Sequence, residues 1–96
     1  MKRKVSHTLG LFFIILDNKE KAFLKYSLKG NIMTIESTYT PEKYRGMLLA
    51  EEITLKAFEY AKLKKMKIRP ECNYTALFFK KHPEYKEILE PSVSIF

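Results

Sequence analysis

A single cysteine, Cys72, stands in the whole chain. No internal disulfide can hold the fold, and a reducing compartment, the cytosol, is expected. With only two histidines beside that cysteine, soft ligands are too few for a structural zinc site, and no metal is expected. Glycine is almost as scarce, three residues in 96, which excludes flexible linkers and low-complexity tracts. The longest apolar run, residues 11–16, is far too short to span a bilayer, so no membrane partner is expected. A basic start, Met1-Lys2-Arg3-Lys4, precedes that run. No small-residue cleavage site follows it, and no targeting segment is read. Acidic residues are in deficit, eleven against eighteen Lys and Arg, for a net charge of +7. That sign suits phosphate-bearing ligands, nucleic acid or an acidic membrane surface, and does not choose among them.

What is present argues for one folded domain over residues 1–96. Seven Phe and six Tyr within 46% hydrophobic residues supply a modest core for a chain of this length. Residues 11–16 read as a strand covered on both faces. Residues 22–28 alternate, with Ala22, Leu24, Tyr26 and Leu28 on one face. Lys29-Gly30-Asn31 is a tight reversal, and residues 32–38 make a third strand. Residues 3–8 are expected to add a first edge strand. From residue 47 to 65 the period becomes helical: Leu49, Ile53, Ala57 and Tyr60 form a stripe that Leu48, Leu55, Phe58 and Leu63 widen. Glu51 and Glu52 near its start, and Lys62, Lys64 and Lys65 near its end, complement the helix dipole. Residues 66–69 read as a short strand entering the sheet in parallel beside the third, as a crossover. Asn73 is the expected N-cap of a short helix through Lys81, stopped before Pro83, with one last helical turn over residues 84–89. The fold class is α+β: a mostly antiparallel mixed sheet with one long crossover helix and a short C-terminal helix.

The stretch from Thr40 to Ala50 holds the most chemistry. A proline-led loop runs into Arg45-Gly46 and then a helix. The free N–H groups of a first helical turn and the helix dipole favour an anion. Acyl-coenzyme A carries a pyrophosphate and a peptide-like pantetheine arm, both of which backbone groups at such a junction can meet. The same spacing also suits a plain turn before a core helix.

Three motifs together resemble the small, single-domain branch of the Gcn5-related N-acetyltransferase superfamily. They are Thr38-x-x-Pro41-x-x-x-Arg45-Gly46-x-x-x-Ala50, Arg69-Pro70-x-Cys72-x-Tyr74 and Lys81-His82-Pro83-Glu84-Tyr85. The resemblance extends from about Phe12 to Leu89, and Ala22 to Tyr26 match the branch's second strand. It implies a minimal version of that fold, acetyl-coenzyme A as cosubstrate, and acetyl transfer to an amine of unknown identity, from a small molecule or a protein. It also implies that Tyr39 and Thr40 hold the pantetheine arm and that Arg45, Gly46, Met47, Leu48, Leu49 and Ala50 hold the pyrophosphate. The superfamily signature places Gln or Arg, two residues, Gly, one residue, then Gly or Ala. Arg45 and Ala50 fill its ends, and Leu48 stands at the middle Gly. Ser37 stands where the branch has His.

Three residues are candidates for the chemistry. Cys72, between a strand and a helix start, is placed for a lowered thiol pKa, and the resemblance implies an acyl acceptor or acceptor-side group there; the other reading is an inert buried thiol. Glu36 is the candidate base for direct attack by an amine, or else an exposed strand carboxylate paired with Lys25. Tyr74 is the candidate acid for the departing thiolate, or else a packed aromatic. His82 is read as a solvated helix end within reach of a ribose phosphate. The run Lys62, Lys64, Lys65, Lys67, Arg69 is read as a solvated helix end. Nucleic acid is not expected as a partner, because the aromatics fall mostly on core-like positions. A non-catalytic coenzyme A-binding or basic nucleic-acid-binding module is the alternative function.

Overall fold

The computed structural model describes residues 4–93. Strands β1 (Ser6–Thr8), β2 (Leu11–Ile15), β3 (Lys21–Lys29) and β4 (Ile32–Tyr39) form an antiparallel meander. A short 3₁₀ turn, Glu42–Tyr44, leads to helix α1 (Leu49–Leu63). Strand β5 (Lys67–Pro70) then joins β4 in parallel, completing a five-stranded sheet in sequence order. Helix α2 (Asn73–Lys81) and a 3₁₀ segment, Pro83–Ile88, follow. This is the expected α+β class, with α1 as the crossover between parallel neighbours. The first edge strand, expected over residues 3–8, is seen at Ser6–Thr8; residue 3 lies outside the described residues.

Both helices pack on one face of the sheet. Phe12, Ile14, Ala22, Leu24, Tyr26, Met33, Ile35 and Ile68 supply that face, and Ile53, Ala57, Phe58 and Ala61 of α1 cover it. Phe58 is fully buried and ties α2 to α1, with the rings of Phe78 and Phe79 centred 5.2 and 4.8 Å from its own. Residues 11–16 do not have two covered faces. Phe12, Ile14 and Leu16 are buried, while Ile15 on the other face is 60% exposed. An apolar run reads the same whether its second face meets a helix or nothing, which is why the pattern misled. The stripe of α1 is likewise narrower than the sequence suggests: Leu48 and Leu63 are exposed and Leu55 partly so.

The helix ends shift for identifiable reasons. Helix α1 starts at Leu49 and not at residue 47, because Leu48 takes a left-handed conformation, φ 61° and ψ 21°. It ends on a left-handed Lys65, with Met66 N–H donating to Ala61 O and Lys65 N–H to Lys62 O. This is a Schellman closure built without glycine, and it delays β5 by one residue. The N-cap of α2 is Cys72, in extended backbone, with Asn73 already helical. Pro83 opens the last 3₁₀ segment at its first position, where a missing N–H costs nothing.

At the far end of the sheet His7 stacks on Phe12, ring centroids 3.9 Å apart, and its Nε2 bonds the Tyr26 hydroxyl. Burial lowers the His7 pKa from its ordinary 6.5. The fold therefore prefers neutral imidazole, and this contribution is present above the unfolded-state pKa and lost as pH falls through the folded one. The melting temperature of a His7→Phe variant is expected to fall less steeply than wild type between about pH 7 and pH 5. Identical slopes would remove His7 from the acid response.

Candidate active site

The site arises where the sheet splays. Parallel pairing of β4 with β5 stops at Ile35 and Pro70. The N–H groups of Glu71 and Cys72 both donate to Ile35 O, at 3.0 and 3.1 Å, and the chain turns away into α2. Beyond that point Ser37, Thr38 and Tyr39 pair with β3 alone, so among the described residues the other edge of β4 is left without a strand. A bulge accompanies the splay: Lys25 faces Ser37 and Tyr26 faces Ile35, leaving Glu36 as the extra residue.

A cavity of about 600 Å³ fills the opening. Its walls are the end of β4 with the following loop (Thr38, Tyr39, Thr40), the start of α1, and one stripe of α2. Gly46, at φ +88°, and Leu48 turn the chain twice through the left-handed region just before the helix. Leu48 O accepts the first helical bond, from Glu52 N–H at 3.1 Å. Leu49, Ala50 and Glu51 line the cavity, where first-turn N–H groups without helical acceptors favour an anion. The Arg45 side chain braces this loop, its Nε donating to Thr40 O at 2.9 Å.

Of the expected residues, Tyr39, Thr40, Arg45, Gly46, Leu48, Leu49, Ala50 and Tyr74 come together on this cavity. Met47 does not; it faces a separate groove with Asp17, Asn18, Lys43 and Tyr44. Leu48 is 66% exposed, so its side chain stands on the cavity wall and not in the core. Glu36 is not among the lining residues. Its carboxylate lies 3.9 Å from Lys25 Nζ, with both side chains open to solvent.

Cys72 sits directly behind the wall, its Sγ 3.5 Å from the Thr38 hydroxyl. Burial raises the thiol's pKa. Hydrogen bonding from the Thr38 hydroxyl, from the Thr75 and Tyr74 N–H groups at the start of α2 and, more weakly, from the Thr75 hydroxyl outweighs it, and the net shift is downward. The Tyr74 phenol moves the other way, raised by burial first and then by the Glu51 carboxylate. The site thus brings together a thiol whose pKa is lowered and a phenol whose pKa is raised. The hydroxyls of Thr54 and Thr75 are buried, and neither closes a hydrogen bond of ordinary length. The Thr54 hydroxyl approaches Tyr74 without saturating it. Replacing Thr54 with valine removes an unsatisfied hydroxyl at nearly constant shape and is expected to stabilise the fold by about 1 kcal/mol in denaturant unfolding. A loss of similar size would show that the hydroxyl is bonded to the phenol after all.

Several lining residues carried no expectation: Tyr44, Glu51, Leu77, Phe78 and Lys81. A signal did exist for α2, since positions 74, 77, 78 and 81 are one helical stripe. His82, read as a solvated helix end, lies on the same wall and within 3.3 Å of the Glu84 carboxylate. Among the described residues no group of three or more His, Cys, Asp or Glu could hold a metal ion, and no helix is long and apolar enough to cross a membrane.

Fold and site together define a class: an α+β domain whose mixed sheet splays after its fourth strand and presents a helix start to the opening. The profile of the GCN5-related N-acetyl-transferase family matches residues 11–88, and the chain belongs to that family. Its fold is similar to that of a GCN5-like protein from Staphylococcus aureus solved by NMR in solution. The TM-score is 0.71 at 18% sequence identity, over 91% of this chain and 87% of that one.

Proposed function

We propose that this domain binds acetyl-coenzyme A in the splay cavity and transfers the acetyl group to an amine. The observation that carries this reading is the cavity itself: an unpaired strand edge and a helix start meet around one space of about 600 Å³, with the Cys72 thiol 3.5 Å from the Thr38 hydroxyl on its wall. In this reading the free edge of β4 at Tyr39 and Thr40 pairs with the pantetheine amides. The loop and helix start from Arg45 to Ala50 hold the pyrophosphate. Met47 contributes only through its backbone, since its side chain faces away.

For the chemistry we favour Cys72 over Glu36. The Cys72 thiolate attacks the thioester carbonyl, forming an acetyl–cysteine thioester as the bond to coenzyme A breaks. Tyr74 gives its proton to the departing thiolate, so coenzyme A leaves as the thiol. A neutral acceptor amine then attacks the acetyl–cysteine, and the amine's proton returns to the Cys72–Tyr74 pair as the amide forms. Direct attack by the amine with Glu36 as base is the competing route. Neither side chain lines the cavity, but the Cys72 thiol lies 3.5 Å from the hydroxyl of the lining residue Thr38, whereas the Glu36 carboxylate is solvent-exposed beside Lys25. A free thiol in this role requires a reducing compartment such as the cytosol.

Ligand binding to the native state alone raises the melting temperature by mass action. Acetyl-coenzyme A at concentrations well above its Kd is expected to raise it by several degrees. No shift at millimolar ligand would sink the cofactor reading. A shift without acetyl transfer to any amine tested would favour the non-catalytic coenzyme A-binding module.

A further inference from the structure

The face of the sheet turned away from both helices carries a row of aromatic rings. Phe13 of β2 pairs with Phe23 of β3, and Phe23 with Tyr39 of β4, so the three residues stand at neighbouring positions across three strands. The Phe23 and Tyr39 centroids are 5.6 Å apart, and Lys21 Nζ lies 5.0 Å from the centre of the Phe13 ring. Leu11 and Ile15 share this face through the strand alternation, and among the described residues no helix covers it. The register also sets Lys21, Lys25 and Lys29 here against one carboxylate of the same strands, Glu36. That carboxylate meets Lys25 only across a 3.9 Å, solvent-exposed contact, which a phosphate can replace at little cost. The whole chain is at +7.

We propose that this open face binds single-stranded nucleic acid, bases stacking on the Phe13–Phe23–Tyr39 row and phosphates meeting Lys21, Lys25 and Lys29. Aromatic rings aligned across neighbouring strands offer successive bases a platform, and stacking tolerates any base because each has a π face. Lysines along the row supply the charge that tracks a backbone. The expectation against nucleic acid rested on aromatics falling on core-like positions, and these three do not. Self-association is disfavoured by the same charges. A two-fold interface would set this lysine-bearing face against its own copy. The proposal is independent of acetyl transfer.

The test is fluorescence anisotropy of the full chain with a short fluorescein-labelled oligo(dT), titrated across a range of salt. Binding is expected, with log K falling by about 0.7 per phosphate contacted for each unit of log salt. Phe23→Ala is expected to weaken it at least about fivefold, and the Lys21→Glu, Lys25→Glu pair to flatten the salt dependence. If Phe23→Ala proves unfolded by thermal melt, the lysine pair decides. Three results overturn the proposal: no binding to the wild type, binding indifferent to these substitutions, or duplex DNA binding as tightly as the single strand. Sedimentation showing a wild-type dimer that Phe23→Ala dissolves would reassign the face to a second copy of the chain.

Discussion

Turnover of acetyl-coenzyme A by a Cys72→Ser variant is expected to fall about a hundredfold or more, with the thermal shift on ligand addition preserved. A serine hydroxyl at the same place keeps size and hydrogen bonding but is hardly ionised at neutral pH, and ionisation is what the attack needs. An effect of this order is typical for loss of one positioned proton-transfer or nucleophilic group. In the wild type, intact mass after incubation without acceptor should reveal one added acetyl group, absent from Cys72→Ser. The pH profile carries an independent signature. As pH rises, the rate should climb with a midpoint below the ordinary thiol range, because hydrogen bonding to Cys72 outweighs its burial. It should fall only above the ordinary tyrosine value, because burial and Glu51 raise Tyr74. Glu36→Gln should leave both limbs in place. A Cys72→Ser enzyme turning over normally, beside a dead Glu36→Gln enzyme that still binds, would replace the thiol route with direct attack.

The parts of the fold that the sequence made legible are those in which local pattern and packing agree. Alternation at Ala22, Leu24 and Tyr26 marked the buried face of β3, and each of those residues is buried. The change of period after Pro41 marked α1, and the short segment of residues 66–69 before Pro70 marked β5. Illegible were features that depend on what lies opposite. The bare second face of β2 is one, since Leu11, Phe13 and Ile15 look like core until the absence of a covering helix is seen. The cavity is another. Its backbone half, Tyr39 to Ala50, followed from a strand–loop–helix motif. Its α2 wall needed the packing of Phe58 against Phe78 and Phe79 to bring that helix alongside. Thr54 and Thr75 could not be singled out at all, because an unsatisfied hydroxyl is a property of its surroundings.

Replacing Leu48 with glycine is expected to raise both stability and cofactor affinity. Leu48 sits at φ 61°, where a side chain other than glycine's costs about 1–2 kcal/mol. Its own side chain is 66% exposed, so truncation forfeits little buried surface. Glycine's greater freedom in the unfolded chain takes back about 0.5–1 kcal/mol. The net gain is then about 0.5–1 kcal/mol, or about 2–8 °C in melting temperature for a domain of this size. The second effect is steric. Leu48 lines the cavity at the turn into α1, where an anion must approach the backbone closely, and a Cβ with a branched side chain holds it off. Removing that bulk should tighten acetyl-coenzyme A binding about tenfold, a difference of about 1.4 kcal/mol. Leu48→Ala separates the two causes, since alanine keeps the unfavourable φ but not the bulk. It should recover most of the affinity and none of the stability. If Leu48→Gly melts higher yet binds no better, the left-handed turn is a matter of folding alone. If it binds worse, the leucine side chain is itself part of the ligand contact, and its place in the glycine position is an adaptation of the site.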